Sequence, residues 1–296
     1  MSTVYKYLRA EDVRRLESYE FAARLLAEGW LSGRHRSRLR GASTEFHEYR
    51  PYAPGDDPGL VDWRVYARSD RHYVKTFEQE TNLECHLLLD GSRSMGFSGG
   101  ATVNKLEFAS YFAAALAWLV IRGSDRVSLQ IFDERVRQFL PAGSTRQHLH
   151  QLLSMLERNE PGGPTATAAA LQRASVQLPR RGTLIVLSDF YDEPAALFSA
   201  LNPFIHRGFR IHLIHLLSPE EWNLGEGVLA RYEDLETGEH LTLHPKAIAE
   251  AYRETLHSHL TRLRTLAAQR QVDYSATRTD GSFWPLFDRI AGEARL

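Results

Sequence analysis

From residue 84 to residue 217, short apolar runs alternate with stretches whose apolar residues recur at helical spacing. The runs Glu84–Asp90, Arg126–Phe132, Thr183–Leu187 and Phe209–Leu217 are expected strands, and Val136–Leu140, after a tight Asp133-Glu134 turn, an antiparallel edge strand. Between them Lys105–Arg122, Arg146–Arg158, Thr167–Gln177 and Pro194–Arg207 are expected helices. Strands that take turns with helices in this way pair in parallel and bury both faces of their sheet under helices. The expected fold is therefore α/β, a doubly wound, mostly parallel sheet with helices on both faces.

The flanks read differently. Residues 11–32 have the pattern of an amphipathic helix, and Arg34 to Arg40 forms a local basic run of the kind that a solvated loop carries. Residues 41–83 read as a small β-rich segment, with strands over Thr44–Arg50, Val61–Ala67 and Tyr73–Glu80 and a turn at Pro54–Asp57. Its acidic and aromatic density is that of an ion-pair and turn network. Beyond Pro219 the expectation is a hairpin within Leu229–Leu243, a long helix over Ala247–Arg270, a strand over Gln271–Ala276 and a closing helix over Trp284–Ala291. Two domains are expected, residues 1–83 and 84–296.

Composition narrows the function classes. Lys+Arg number 36 against Asp+Glu 37, so no global charge invites nucleic acid or an anionic membrane. The single cysteine, Cys85, excludes a disulfide within the chain and a cysteine zinc site. No leader pattern opens the sequence, and the longest apolar stretch, Tyr111–Ile121, is far shorter than the ~20 residues of a membrane helix. A soluble, cytoplasmic protein is expected. No P-loop and no Gly-x-Ser-x-Gly elbow is present, which removes two common enzyme signatures. His212 and His215 stand at odd spacing on one strand and read as buried or solvated rather than metal-binding.

Three junction loops carry the chemistry. The first, Asp90-Gly-Ser92-Arg-Ser94, sets one carboxylate and two hydroxyls at alternate positions where a strand ends. The second, Gly162-Gly163-Pro164-Thr165-Ala166-Thr167, leads into a helix; Thr165 is its expected ligand, with Thr167 the fallback. The third, Ser188-Asp189, follows another strand. Hydroxyl and carboxylate oxygens are the ligands that Mg²⁺ or Mn²⁺ prefers, and loops at the carboxyl ends of a parallel sheet converge. The expected metal ligands are Asp90, Ser92, Ser94, Thr165 and Asp189, with one position left for a partner's carboxylate. A phosphoryl-transfer role for Asp90 would want an acid at the position Ser92 holds and a positioned lysine. A metal-dependent phosphohydrolase is the alternative to a non-enzymatic binding module.

These loops resemble the metal-ion-dependent adhesion site of von Willebrand factor type A domains. Upstream, Arg50-x-Tyr52-x-x-Gly55-Asp56-Asp57, Asp62-Trp63-x-x-x-Ala67-Arg68 and Glu78-x-Glu80 resemble the bacterial family catalogued as domain of unknown function 58, as do Gly41 to Phe46 and Asp234 to Glu239. Gly59-Leu60 depart from it, standing where members often carry arginine. The resemblance implies a von Willebrand factor type A-like domain with a small N-terminal β-rich subdomain. It also implies a protein that works beside a MoxR-type AAA+ ATPase, as an adaptor or co-chaperone-like partner. Many members carry membrane helices, and this chain resembles the soluble branch.

Overall fold

The computed structural model describes residues 6–8, 46–52, 59, 61–77, 84–178, 182–224 and 229–292. The expected helix over 11–32, the basic run after it, the turn at Pro54–Asp57 and the Glu78-x-Glu80 pair lie outside the described residues. The chain divides into two compact units, one of Met1–Trp30 with Leu83–Leu296 and one of Leu31–Asn82.

In the smaller unit β1 (Phe46–Pro51) pairs antiparallel with β2 (Tyr73–Phe77). Between them the structure corrects the expected strand over Val61–Ala67: Trp63–Ser69 is a helix, α1. The Asp62 carboxylate decides this, accepting hydrogen bonds from the backbone N–H of Arg64 at 2.9 Å and of Val65 at 3.3 Å. An N-cap of this type satisfies donors that a helix start otherwise leaves open. Asp70, in a left-handed conformation at φ 51°, closes the other end.

The larger unit is built on a six-stranded sheet: β3 (Glu84–Asp90), β4 (Arg126–Phe132), β5 (Val136–Gly143), β6 (Thr183–Ser188), β7 (Arg210–Leu217) and β10 (Asp273–Arg278). Their spatial order is β10-β7-β6-β3-β4-β5. All pairs are parallel except β4 with the edge strand β5, which is antiparallel as the tight turn requires. Every residue of β3 is buried, the pattern of a central strand covered on both faces. Its side chains alternate: Leu87 and Leu89 join one hydrophobic cluster, Leu88 the other.

One face is covered by α2 (Lys105–Arg122), α3 (Arg146–Glu157) and α8 (Trp284–Gly292), the other by α4 (Thr167–Gln177), α5 (Pro194–His206) and α7 (Pro245–Gln269). Helix α2 starts with a capping box between Asn104 and Glu107 and buries Ala109, Ala113, Ala114, Ala115 and Ala117, small residues that let it lie close to the strands. A short α6 (Pro219–Trp222) follows β7, and β8 (Ala230–Glu233) and β9 (His240–Leu243) form the expected hairpin. The last strand begins at Asp273, two residues later than expected, because Gln271 turns through φ 56° after α7. Cys85 is buried in β3, and burial pushes its thiol up to about 12. Among the described residues no helix is long and apolar enough to cross a membrane.

Candidate functional site

The strand order reverses direction between β3 and β6, and at such a switch point the loops leaving the carboxyl ends diverge and open a crevice. Asp90 ends β3, and Ser188 ends β6 beside it. The Ser188 hydroxyl donates to Asp90 Oδ2 at 2.6 Å, and the Ser92 N–H donates to Oδ1 at 2.9 Å. Asp90 is wholly buried. Burial first, and then the nearby charge of Asp189, push its carboxyl up to about 7, against the pull of these hydrogen bonds.

Past Asp90 the chain enters a 3-10 turn, Arg93–Gly96, that brings the Ser92 and Ser94 hydroxyls within 3.1 Å of each other. The second loop is tied to this turn by backbone bonds, Gly162 N–H to Gly91 C=O and Arg93 N–H to Gly163 C=O, each 2.9 Å. Gly163 adopts φ +72°, and a Cβ there would lie 2.8 Å from Asp133 Oδ2, so only glycine fits. The tie brings Thr165 Oγ1 to 3.5 Å from Ser94 Oγ. Thr167 is different: it opens α4, is buried, and gives its N–H to Asp192 at 2.9 Å.

Asp189, buried like Asp90, makes one strong contact. Its Oδ2 accepts from Lys105 Nζ at 2.7 Å, while Oδ1 is buried without a hydrogen-bond partner. Lys105 is the first residue of α2 and is fully buried, with Glu221 Oε1 at 2.6 Å as its second carboxylate. Burial works to lower the lysine pKa, but the Asp189 and Glu221 charges override it and hold the ammonium above its ordinary value. Sequence reasoning missed Lys105, because a lysine in a first helical turn ordinarily points to water. The one available signal is its place at the head of an otherwise apolar helix.

The other unforeseen contact comes from the β8–β9 hairpin. Glu236 Oε1 accepts from the Thr165 hydroxyl at 2.6 Å, and Oε2 from the Thr165 N–H at 3.1 Å. Arg93 also donates to the hairpin, to the Leu235 carbonyl at 3.3 Å. Ser94, Thr165, Glu236, Tyr191, Tyr232 and Glu221 line a cleft of about 400 Å³.

Chemically, the cluster sets the carboxylates of Asp90, Asp189, Glu221 and Glu236 against the single ammonium of Lys105. The orphaned Asp189 oxygen and the hydroxyls of Ser92, Ser94 and Thr165 are hard-oxygen donors of the kind that a small divalent cation takes. Among the described residues no group of three or more His, Cys, Asp or Glu is placed to hold a metal, so a cation here would depend on the hydroxyls. His212 and His215 are buried, and burial pushes each down to about 3, which keeps them neutral.

Residues 48–264 match the profile of a family described as "Protein of unknown function DUF58". "Uncharacterized protein Rv1480" of Mycobacterium tuberculosis and "Uncharacterized protein Mb1516" of Mycobacterium bovis are each 30% identical over 227 residues, which is 75% of this chain and 70% of theirs. Among solved structures, BatB from Bacteroides thetaiotaomicron aligns with TM-score 0.48 and 17% identity, over 72% of this chain and 97% of its own. A von Willebrand factor type A protein from Catenulispora acidiphila aligns with TM-score 0.40 and 15% identity, over 75% of this chain and 43% of its own.

Proposed function

The chain belongs to the DUF58 family, and from that premise we propose that it is a non-enzymatic protein-interaction module whose adhesion-type site grips a partner carboxylate through Mg²⁺ or Mn²⁺. The observation that carries this reading is the unpartnered, buried Asp189 Oδ1, on the loop that follows the Ser188 bonded to Asp90, together with the contiguous hydroxyls of Ser92, Ser94 and Thr165 that follow Asp90. A buried carboxylate oxygen left without a donor is costly unless a cation or water meets it. Ser92, Ser94 and Thr165 would supply hydroxyl oxygens, with Asp90 and Asp189 holding waters or the ion itself. The ion would supply a positive centre that a partner's Asp or Glu completes.

In this reading Lys105 fixes Asp189, and the paired loops at Gly91 and Gly163 keep the hydroxyls in place. The partner in the proposal is a MoxR-type AAA+ ATPase or its client, met in the cytoplasm. The phosphohydrolase alternative asks Asp90 to attack a phosphorus centre. The position two residues on, where this chemistry wants an acid, holds Ser92, and the buried lysine, Lys105, is already engaged by Asp189 and Glu221.

The test is co-purification with a MoxR-type ATPase in Mg²⁺ or in EDTA, using wild type and Asp90→Ala. Capture that needs both the metal and Asp90 supports the proposal. Capture indifferent to both would sink it, and Mg²⁺-dependent phosphatase activity lost in Asp90→Ala would transfer the site to the alternative.

A further inference from the structure

We propose that Glu236, at the tip of the β8–β9 hairpin, is the adhesion site's own carboxylate ligand, a self-ligand that a partner's acidic side chain must displace. The inference rests on the metal-dependent reading above and names how that site is regulated.

The hairpin is built to present this one side chain. From Glu233 to Leu241 every residue is exposed except Glu236, which is half-buried. Asp234 organises the turn: its Oδ1 accepts from the N–H of Glu236 at 2.8 Å and of Thr237 at 3.1 Å, and its backbone pairs with Gly238 and Glu239. Those bonds hold the Asp234 carboxyl below its usual range. An Asx-type turn of this kind sets the backbone direction, and so the side-chain direction, before any contact with the site is made.

Both Glu236 oxygens engage Thr165, and the 2.6 Å hydroxyl bond has the length of a charge-assisted one. Thr165 in turn stands beside Ser94. The chain thus brings a carboxylate of its own to the hydroxyl side of the site, where the adhesion mechanism needs a carboxylate from elsewhere. Carboxylates Asp90, Asp189 and Glu221 already lie in the site, so a fourth gains most if a cation accompanies it.

The hairpin is also placed to let go. Its two strands have four residues each and bury almost nothing, and among the described residues its side-chain ties to the loops are Glu236 on Thr165 and Arg93 on the Leu235 carbonyl. Segments with few buried contacts open at low cost. A self-ligand lowers a partner's apparent affinity by the fraction of molecules in which the hairpin is closed.

The experiment uses Mn²⁺ alone with the full chain. Electron paramagnetic resonance reads the affinity, and water-proton relaxation reads how many exchangeable waters each bound ion keeps. Wild type, Glu236→Gln and Asp90→Ala are compared. Glu236→Gln is expected to bind Mn²⁺ about tenfold more weakly and to show a higher relaxation enhancement per bound ion, because a water replaces the lost carboxylate. Equal affinity and relaxation in wild type and Glu236→Gln, with Asp90→Ala impaired, would overturn the self-ligand and leave the metal site standing. Weaker binding with unchanged relaxation would also overturn it, since Glu236 would then act only through the Thr165 hydroxyl. No Mn²⁺ binding by wild type would overturn the metal reading and this inference together.

Discussion

The two sides of the site are held by opposite means. On the Asp189 side, a fully buried ammonium joins Asp189, shut away from water, to Glu221 at the edge of the cleft. On the Thr165 side, hydroxyls face a cleft and the neighbouring carboxylate arrives on an exposed hairpin. A buried charge pair is rigid because either partner alone is intolerable there. A hydrogen bond at the mouth of a cleft exchanges more readily for one with water or with another carboxylate. One side therefore serves as the fixed wall and the other as the face that can change occupant.

Lys105→Met breaks this contrast most directly. It leaves buried Asp189, and Glu221 beside it, without their cation, and should cost about 3–5 kcal/mol of stability, read as a lower midpoint in urea unfolding. Less severe is Ser188→Ala, which takes a 2.6 Å donor from buried Asp90. A loss of about 1–3 kcal/mol is expected, with the far-ultraviolet circular dichroism of the native state unchanged.

Acid should unfold the protein through the buried histidines of β7. His212 and His215 have folded pKa values depressed to about 3, so the unfolded chain binds protons that the folded chain refuses. Stability is then lost as pH falls from about 6.5 toward 3. Asp90, raised to about 7, has the opposite sign and offsets one of the two between pH 6 and 5. The net expectation is a loss of about 1 kcal/mol per pH unit in that interval, measurable by denaturant titration at each pH. A stability that stays level there would mean that the histidines take protons without unfolding.

The smallest effect belongs to the open face. Arg93→Ala removes one 3.3 Å bond to the hairpin and should change stability by less than about 0.5 kcal/mol. Hydrogen exchange at residues 234–239 should nevertheless quicken, and an unchanged exchange rate would show that Glu236 alone keeps the hairpin down.

The alternation of strands and helices was legible because period and length survive in a sequence, and Lys105–Arg122 and Thr167–Gln177 have the bounds expected of them. Local spacing likewise exposed the Asp90–Ser94 loop. What spacing cannot carry is contact across the chain. Lys105 meets Asp189 and Glu221 at separations of 84 and 116 residues, and Thr165 meets Glu236 at 71. The misread helix Trp63–Ser69 is another kind of miss, since Asp62 ahead of it was a visible cap signal outweighed by β-branched and aromatic neighbours.

Cys85 lies in the central strand with its thiol pushed up to about 12 by burial, so almost none of it is thiolate at neutral pH. Thiol-directed reagents will pass it by. A cysteine introduced on the hairpin, at Leu235 for instance, would then be the sole reactive handle, and a dye or spin label there would follow the hairpin's motion with no background from the native chain.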